Sequence, residues 1–194
     1  MLTIKEKKVL RMILFAFDAD YSINQIAKEC KIAPNGALKI LNKFKNEGIL
    51  TIRDIANIKS YKINFEDEKA ELILELALMQ DLDNKIKNRL DDLKEMKGIA
   101  DSSIIFGSYL TSKDPDDLDI LFILKKENYK NYKESLKNIK DIMPIKIHDI
   151  AQTKEDIEKN IIRKDLIVLD AIKKGIILWG QRTIIGVIKN VYKR

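Results

Sequence analysis

The chain has one cysteine, one histidine and one tryptophan among 194 residues, with three prolines and seven glycines. A single thiol, Cys30, excludes an internal disulfide and suits a reducing cytoplasm. It falls inside an apparent helix, where a packing role is expected. No apolar run reaches the length needed to cross a bilayer, so no membrane span is expected. The first residues, Met1-Leu-Thr-Ile-Lys-Glu-Lys-Lys, are charged and contain no signal-peptide core. Breakers are scarcest in residues 66–97, which hold neither proline nor glycine.

Charge is unevenly divided. Residues 1–65 hold 12 Lys/Arg against 6 Asp/Glu, whereas residues 66–194 hold 24 of each. The entire net charge of +6 therefore lies in the first third, which suggests a nucleic-acid-binding end joined to a neutral module.

In that first third, Ile4, Val9, Leu10, Ile13, Leu14 and Phe17 form a helical stripe. Ser22 is placed to cap a short helix carrying Ile23, Ile26 and Ala27. Pro34 suits the first turn of a third helix that directs Leu38, Leu41 and Phe44 inward and ends at Gly48. Two extended segments follow, around a turn near Ala56-Asn57. In the second of them Tyr61, Ile63 and Phe65 alternate with Lys62 and Asn64, as in a hairpin.

Residues 66–97 read as one long helix. Leu72, Met79, Ile86 and Leu93 recur every seven residues, with Leu76 and Leu90 between them. The stripe either pairs with the same helix of a second chain or packs on its own domains.

The most distinctive segment is residues 104–124. An apolar run, Ile104-Ile105-Phe106, ends in Gly107-Ser108, and Asp117-Leu118-Asp119 leads into a second run, Ile120 to Leu124. The pattern reads as strand, glycine turn, polar loop, strand. Strand alternation puts Asp117 and Asp119 on one face, where two carboxylates repel unless a cation lies between them. Oxygen ligands of this kind suit Mg²⁺ held with substrate phosphates, and Gly107 with Ser108 would let a phosphate approach. The plain alternative is that Asp114-Pro-Asp-Asp117 is only an acidic turn.

Two resemblances follow from these residues. Residues 1–65, through Ser22-Ile-Asn-Gln-Ile-Ala and Leu41-Asn-Lys-Phe-Lys-Asn-Glu-Gly48-Ile-Leu, resemble the winged helix-turn-helix domain of prokaryotic transcription regulators. The resemblance implies a third helix in the major groove and a hairpin wing on the phosphates of double-stranded DNA. On this chain Asn35 and Asn42 would then read base edges, Lys39 and Lys43 would meet phosphates, and Arg53, Lys59 and Lys62 would line the wing. A solvated lysine face, or a winged helix that docks protein, stays open beside it.

Phe106-Gly107-Ser108 with Asp117-Leu118-Asp119 resembles the nucleotidyltransferase superfamily, which includes DNA polymerase β, the kanamycin nucleotidyltransferases and the minimal nucleotidyltransferases. The resemblance implies Asp117 and Asp119 as catalytic metal ligands for Mg²⁺, and Gly107 and Ser108 as binders of ATP or another NTP. It also implies a third carboxylate on the next strand, at a slot between two apolar residues. That slot, between Ile145 and Ile147, holds Lys146, with His148 on the same face and Asp149 on the other.

The expected architecture is thus α+β. It comprises a winged helix at 1–65, a connector helix at 66–97 and a nucleotidyltransferase-like mixed sheet at 98–194. Two functions fit. One is a homodimeric DNA-binding regulator or antitoxin-like protein, beside a helical toxin partner, whose second domain binds nucleotide. The other is an active transferase moving NMP to a protein or small-molecule hydroxyl.

Overall fold

A computed structural model describes residues 1–16, 19–55 and 58–193. Phe17 and the expected turn at Ala56-Asn57 lie outside the described residues. The chain is α+β and divides into two compact units: Met1–Met79 with Tyr192–Arg194, and Gln80–Val191.

In the first unit, α1 (Ile4–Leu14) starts at a capping box in which the Thr3 hydroxyl accepts from the Glu6 amide and the Glu6 carboxylate accepts from the Thr3 amide. Its buried stripe is Val9, Leu10, Ile13 and Leu14, while Ile4 stays exposed. The expected Ser22 cap opens α2 (Ile23–Cys30). Pro34 opens α3 (Pro34–Asn46), which buries Ala37, Leu41 and Phe44. Leu38, expected inward, lies at the rim instead, because the buried arc passes through Ala37. The chain turns at Gly48, with φ +80°, into the antiparallel pair β1 (Leu50–Ile55) and β2 (Ile58–Ile63). Tyr61 and Ile63 point inward as the alternation requires. Cys30 is buried, and burial pushes its thiol pKa up, in keeping with a packing role.

The expected single connector helix is interrupted. α4 (Glu68–Leu78) ends where Met79 turns extended, and α5 (Asn84–Asp92) begins anew after Asp83. The Asp83 carboxylate accepts from the Ile86 amide at 2.8 Å. A short acid side chain that caps a helix start competes with continuation through that point. The seven-residue seam splits at the same place. Leu72, Leu76 and Met79 are exposed, whereas α4 buries Ala70, Leu74, Ala77 and Leu78 on the side that meets α1. Ile86 and Leu93 are buried in the second unit's core. The boundary between units therefore falls at residues 79 and 80 rather than at 65 or 98.

The second unit is built on a four-stranded mixed sheet of order β5-β4-β3-β6. β3 (Ser102–Phe106) runs antiparallel to β4 (Asp117–Ile123) and to β6 (Ile176–Trp179), and β4 runs parallel to β5 (Lys146–Gln152). The parallel pair needs a crossover, supplied by α6 (Tyr129–Ile142). α6 buries Tyr132, Leu136 and Ile139 against Leu118, Ile120 and Phe122. Tyr129, which opens the helix, is half exposed. α7 (Lys154–Ile162) begins at a capping box on Thr153. α8 (Leu166–Lys174) is capped by Asp165, after a left-handed residue at Lys164. α9 (Gln181–Tyr192) closes the chain. Trp179 donates its ring N–H to the Ala100 carbonyl and packs on Phe122, a structural role. Among the described residues no helix is long and apolar enough to cross a membrane.

Candidate functional site

Strand register assembles the cluster in the second unit. Asp119 lies opposite Phe106 on β3 and opposite His148 on β5, and Asp117 lies opposite Lys146. Paired residues share a face, so Asp117, Asp119, Lys146 and His148 emerge together, while Leu118, Ile120 and Ile147 enter the core on the other side. The first residues after β3, Gly107–Leu110, form a single 3-10 turn that brings Ser108 back over the start of β4. The Lys85 ammonium of α5 fastens this turn by donating to the Tyr109 and Ser112 carbonyls at 2.8 and 3.2 Å.

Gly107 has φ +74°, and a Cβ there would stand 2.2 Å from Asp119 Oδ2. The sequence reading gave this glycine the task of admitting a phosphate. Here the missing Cβ makes room for the Asp119 carboxylate. The Ser108 hydroxyl donates to Asp117 Oδ1 at 3.4 Å. His148 Nδ1 sits 3.3 Å from Asp117 Oδ2 and 3.6 Å from Asp119 Oδ1. Donor atoms of the three residues all lie within 4.8 Å of one another, so Asp117, Asp119 and His148 can hold a metal ion. All three remain partly open to solvent, and an open cleft of about 630 Å³ lies alongside, edged by Phe106, Lys146 and Ile167.

Lys146 does not neutralise the aspartates. It is exposed and makes no ion pair among the described residues. Asp149 does not supply the third acid either. It points to the opposite side of β5, where it accepts from the Tyr132 hydroxyl at 2.6 Å and pairs with Lys140. Burial works to raise the Asp149 pKa, but the bonds from Lys140 and Tyr132 hold it below the usual carboxylate value. Burial, then the bond to Asp149, pushes the Tyr132 pKa far up, so its hydroxyl stays a donor.

The residue left without a role by the sequence is His148, placed there only on the face of Lys146. Its signal was parity with Lys146, but only the β4–β5 register puts it beside Asp119. The resulting donor set departs from the one that Mg²⁺ asks for. Two carboxylates suit that ion, while an imidazole in the third place does not.

The first unit spreads its candidates over a surface. Asn35, Lys39 and Asn42 are exposed at spacings of four and three, on one face of α3. Arg53 and Lys59 are exposed on the hairpin, and Lys59 edges a hollow of about 500 Å³ with Ser22, Asn35 and Leu38. Two expected contacts are instead occupied. Lys43 pairs with the buried Glu6 of α1 at 2.7 Å. Lys62 donates to the Ala19 carbonyl at 2.8 Å and pairs with Asp20 at 2.9 Å. Both cations hold elements of the unit together.

Comparison with protein-family models, curated proteins and solved structures finds no match for this chain.

Proposed function

We propose that the protein binds double-stranded DNA through a winged helix in its first unit and carries a nucleotidyltransferase-type domain that binds a divalent ion and a nucleotide. The observation that carries the second half is the convergence of Ser108, Asp117, Asp119 and His148 at one end of a parallel strand pair, beside an open cleft. Gly107 holds the turn close to Asp119, and Lys146, on the same face and exposed, is a cation for nucleotide phosphates.

The first half is supported by three helices followed by a hairpin, by the exposed row Asn35, Lys39 and Asn42, and by the +6 charge of residues 1–65. The exposed Leu72 and Leu76 of α4, with Met79 just after it, support a homodimer, which would present two such helices to a two-fold operator. Leu76→Glu would then turn a dimer into a monomer in analytical ultracentrifugation.

ATP binding tests the nucleotide reading directly. With a divalent ion present, the full chain should bind ATP and Asp119→Ala should not. Equal binding by both proteins removes it. Transfer of NMP to a hydroxyl is the second reading. It is favoured by Lys146 standing clear of the two aspartates, since a lysine between them would take the place of the metal.

A further inference from the structure

We infer that the Asp117–Asp119–His148 group selects a divalent transition ion, of the Mn²⁺, Co²⁺ or Zn²⁺ kind, over Mg²⁺, with His148 as the discriminating ligand. The inference rests on the reading of this group as a metal site and adds the class of ion it takes.

Its basis is geometry joined to donor chemistry. With metal–ligand bonds of about 2.1 Å, donors at neighbouring corners of an octahedron stand about 3.0 Å apart. His148 Nδ1 is 3.3 Å from one aspartate oxygen and 3.6 Å from the other, close to that spacing. With all three donors within 4.8 Å of one another, they can share one ion and leave its remaining positions for water and phosphate oxygens. The aspartates are already oriented for this. Ser108 engages Asp117 Oδ1, leaving Oδ2 turned to His148, and Gly107 closes over the far side of Asp119.

Among the described residues no further His, Cys, Asp or Glu joins this group. The acid next along β5, Asp149, is turned away and bonded to Tyr132 and Lys140. Lys146 cannot serve as a ligand while it carries its proton. A hard, strongly hydrated Mg²⁺ gains little from an imidazole nitrogen, whereas affinity at nitrogen-containing sites rises along the first-row series. The mixed oxygen and nitrogen set therefore shifts preference away from Mg²⁺.

Titration calorimetry of the full chain with Co²⁺, Mn²⁺ and Mg²⁺, without nucleotide, tests this. Co²⁺ should bind roughly tenfold or more tighter than Mg²⁺, and His148→Ala should remove most of that advantage while changing Mg²⁺ affinity little. His148→Asp should raise Mg²⁺ affinity and lower that for Co²⁺. Pulsed EPR of bound Mn²⁺ should show coupling to an imidazole nitrogen that disappears in His148→Ala. Equal affinities for Co²⁺ and Mg²⁺ would overturn the inference, as would Co²⁺ binding undiminished in His148→Ala. Binding that depends on Asp119 but not on His148 rejects the selectivity alone. An absence of binding by any of the ions rejects the metal site itself.

Discussion

The two units hold their charged residues in different ways. On the first, the candidates are long side chains scattered over a helix and a hairpin, and their neighbours decide what each is available for. Lys39 and Lys43 are four residues apart on α3, yet Lys39 is exposed while Lys43 pairs with Glu6. On the second, the candidates are short side chains fixed by strand register, and a neighbouring strand decides what each one meets. Asp117 and Asp149 are both strand aspartates, but Asp117 faces Ser108 and His148 while Asp149 faces Tyr132 and Lys140. A charged residue's chemistry thus follows from the element opposite it, and a strand makes that partner far more definite than a helix surface does.

The strongest way to break this contrast lies in the core behind the cluster. Tyr132 is fully buried, so Tyr132→Ala should cost about 4 kcal/mol in urea unfolding, a sum of lost ring burial and cavity. Tyr132→Phe should cost only about 1–2 kcal/mol, the price of leaving the Asp149 oxygen without that donor. A similar loss in both variants would show that the hydroxyl, rather than the ring, holds β5 in place.

Next comes the turn. Gly107→Ala demands a left-handed alanine whose Cβ falls on the Asp119 carboxylate. It should cost roughly 1–2 kcal/mol and, by moving Asp119, weaken metal binding by about tenfold. Unchanged metal affinity would mean that the two aspartates are placed without help from the turn.

The first unit can be sharpened by comparing its lysines. In a duplex DNA shift assay, Lys39→Glu with Lys59→Glu should reduce affinity by roughly tenfold or more and flatten the dependence on salt. Lys43→Glu should chiefly lower the melting temperature, because it places a second carboxylate against buried Glu6. Reversed outcomes would exchange the roles of the two cations.

The smallest effect is acid sensitivity. The folded Asp149 pKa is held below its unfolded value near 3.9. Its contribution is therefore complete above about pH 4 and fades as the pH falls through the lower folded value. Asp149→Asn should flatten the acid limb of the stability curve below about pH 4. An unaltered limb would point to other carboxylates, such as Glu6, which is also held low.

Much of the layout was legible before folding was considered. Ser22 signalled a helix start, Pro34 and Gly48 bounded α3, and Gly107 marked the turn after β3. These signals are local, since each acts on backbone groups within a few residues. The connector misled because a seven-residue apolar period says nothing about a cap inside it. α4 ends at Leu78, Asp83 starts a new helix by bonding three residues ahead, and the two halves of the stripe go to different surroundings.

By itself the sequence determined that Asp117 and Asp119 share a face, because alternation along a strand is a property of the backbone alone. It also determined that the net positive charge belongs to the first 65 residues. Only the tertiary structure decided that His148 completes the aspartate pair, that Lys146 and Asp149 do not, and that Lys43 and Lys62 are already engaged. The reason is that register between β4 and β5 is set across the whole α6 crossover, where no local preference can reach.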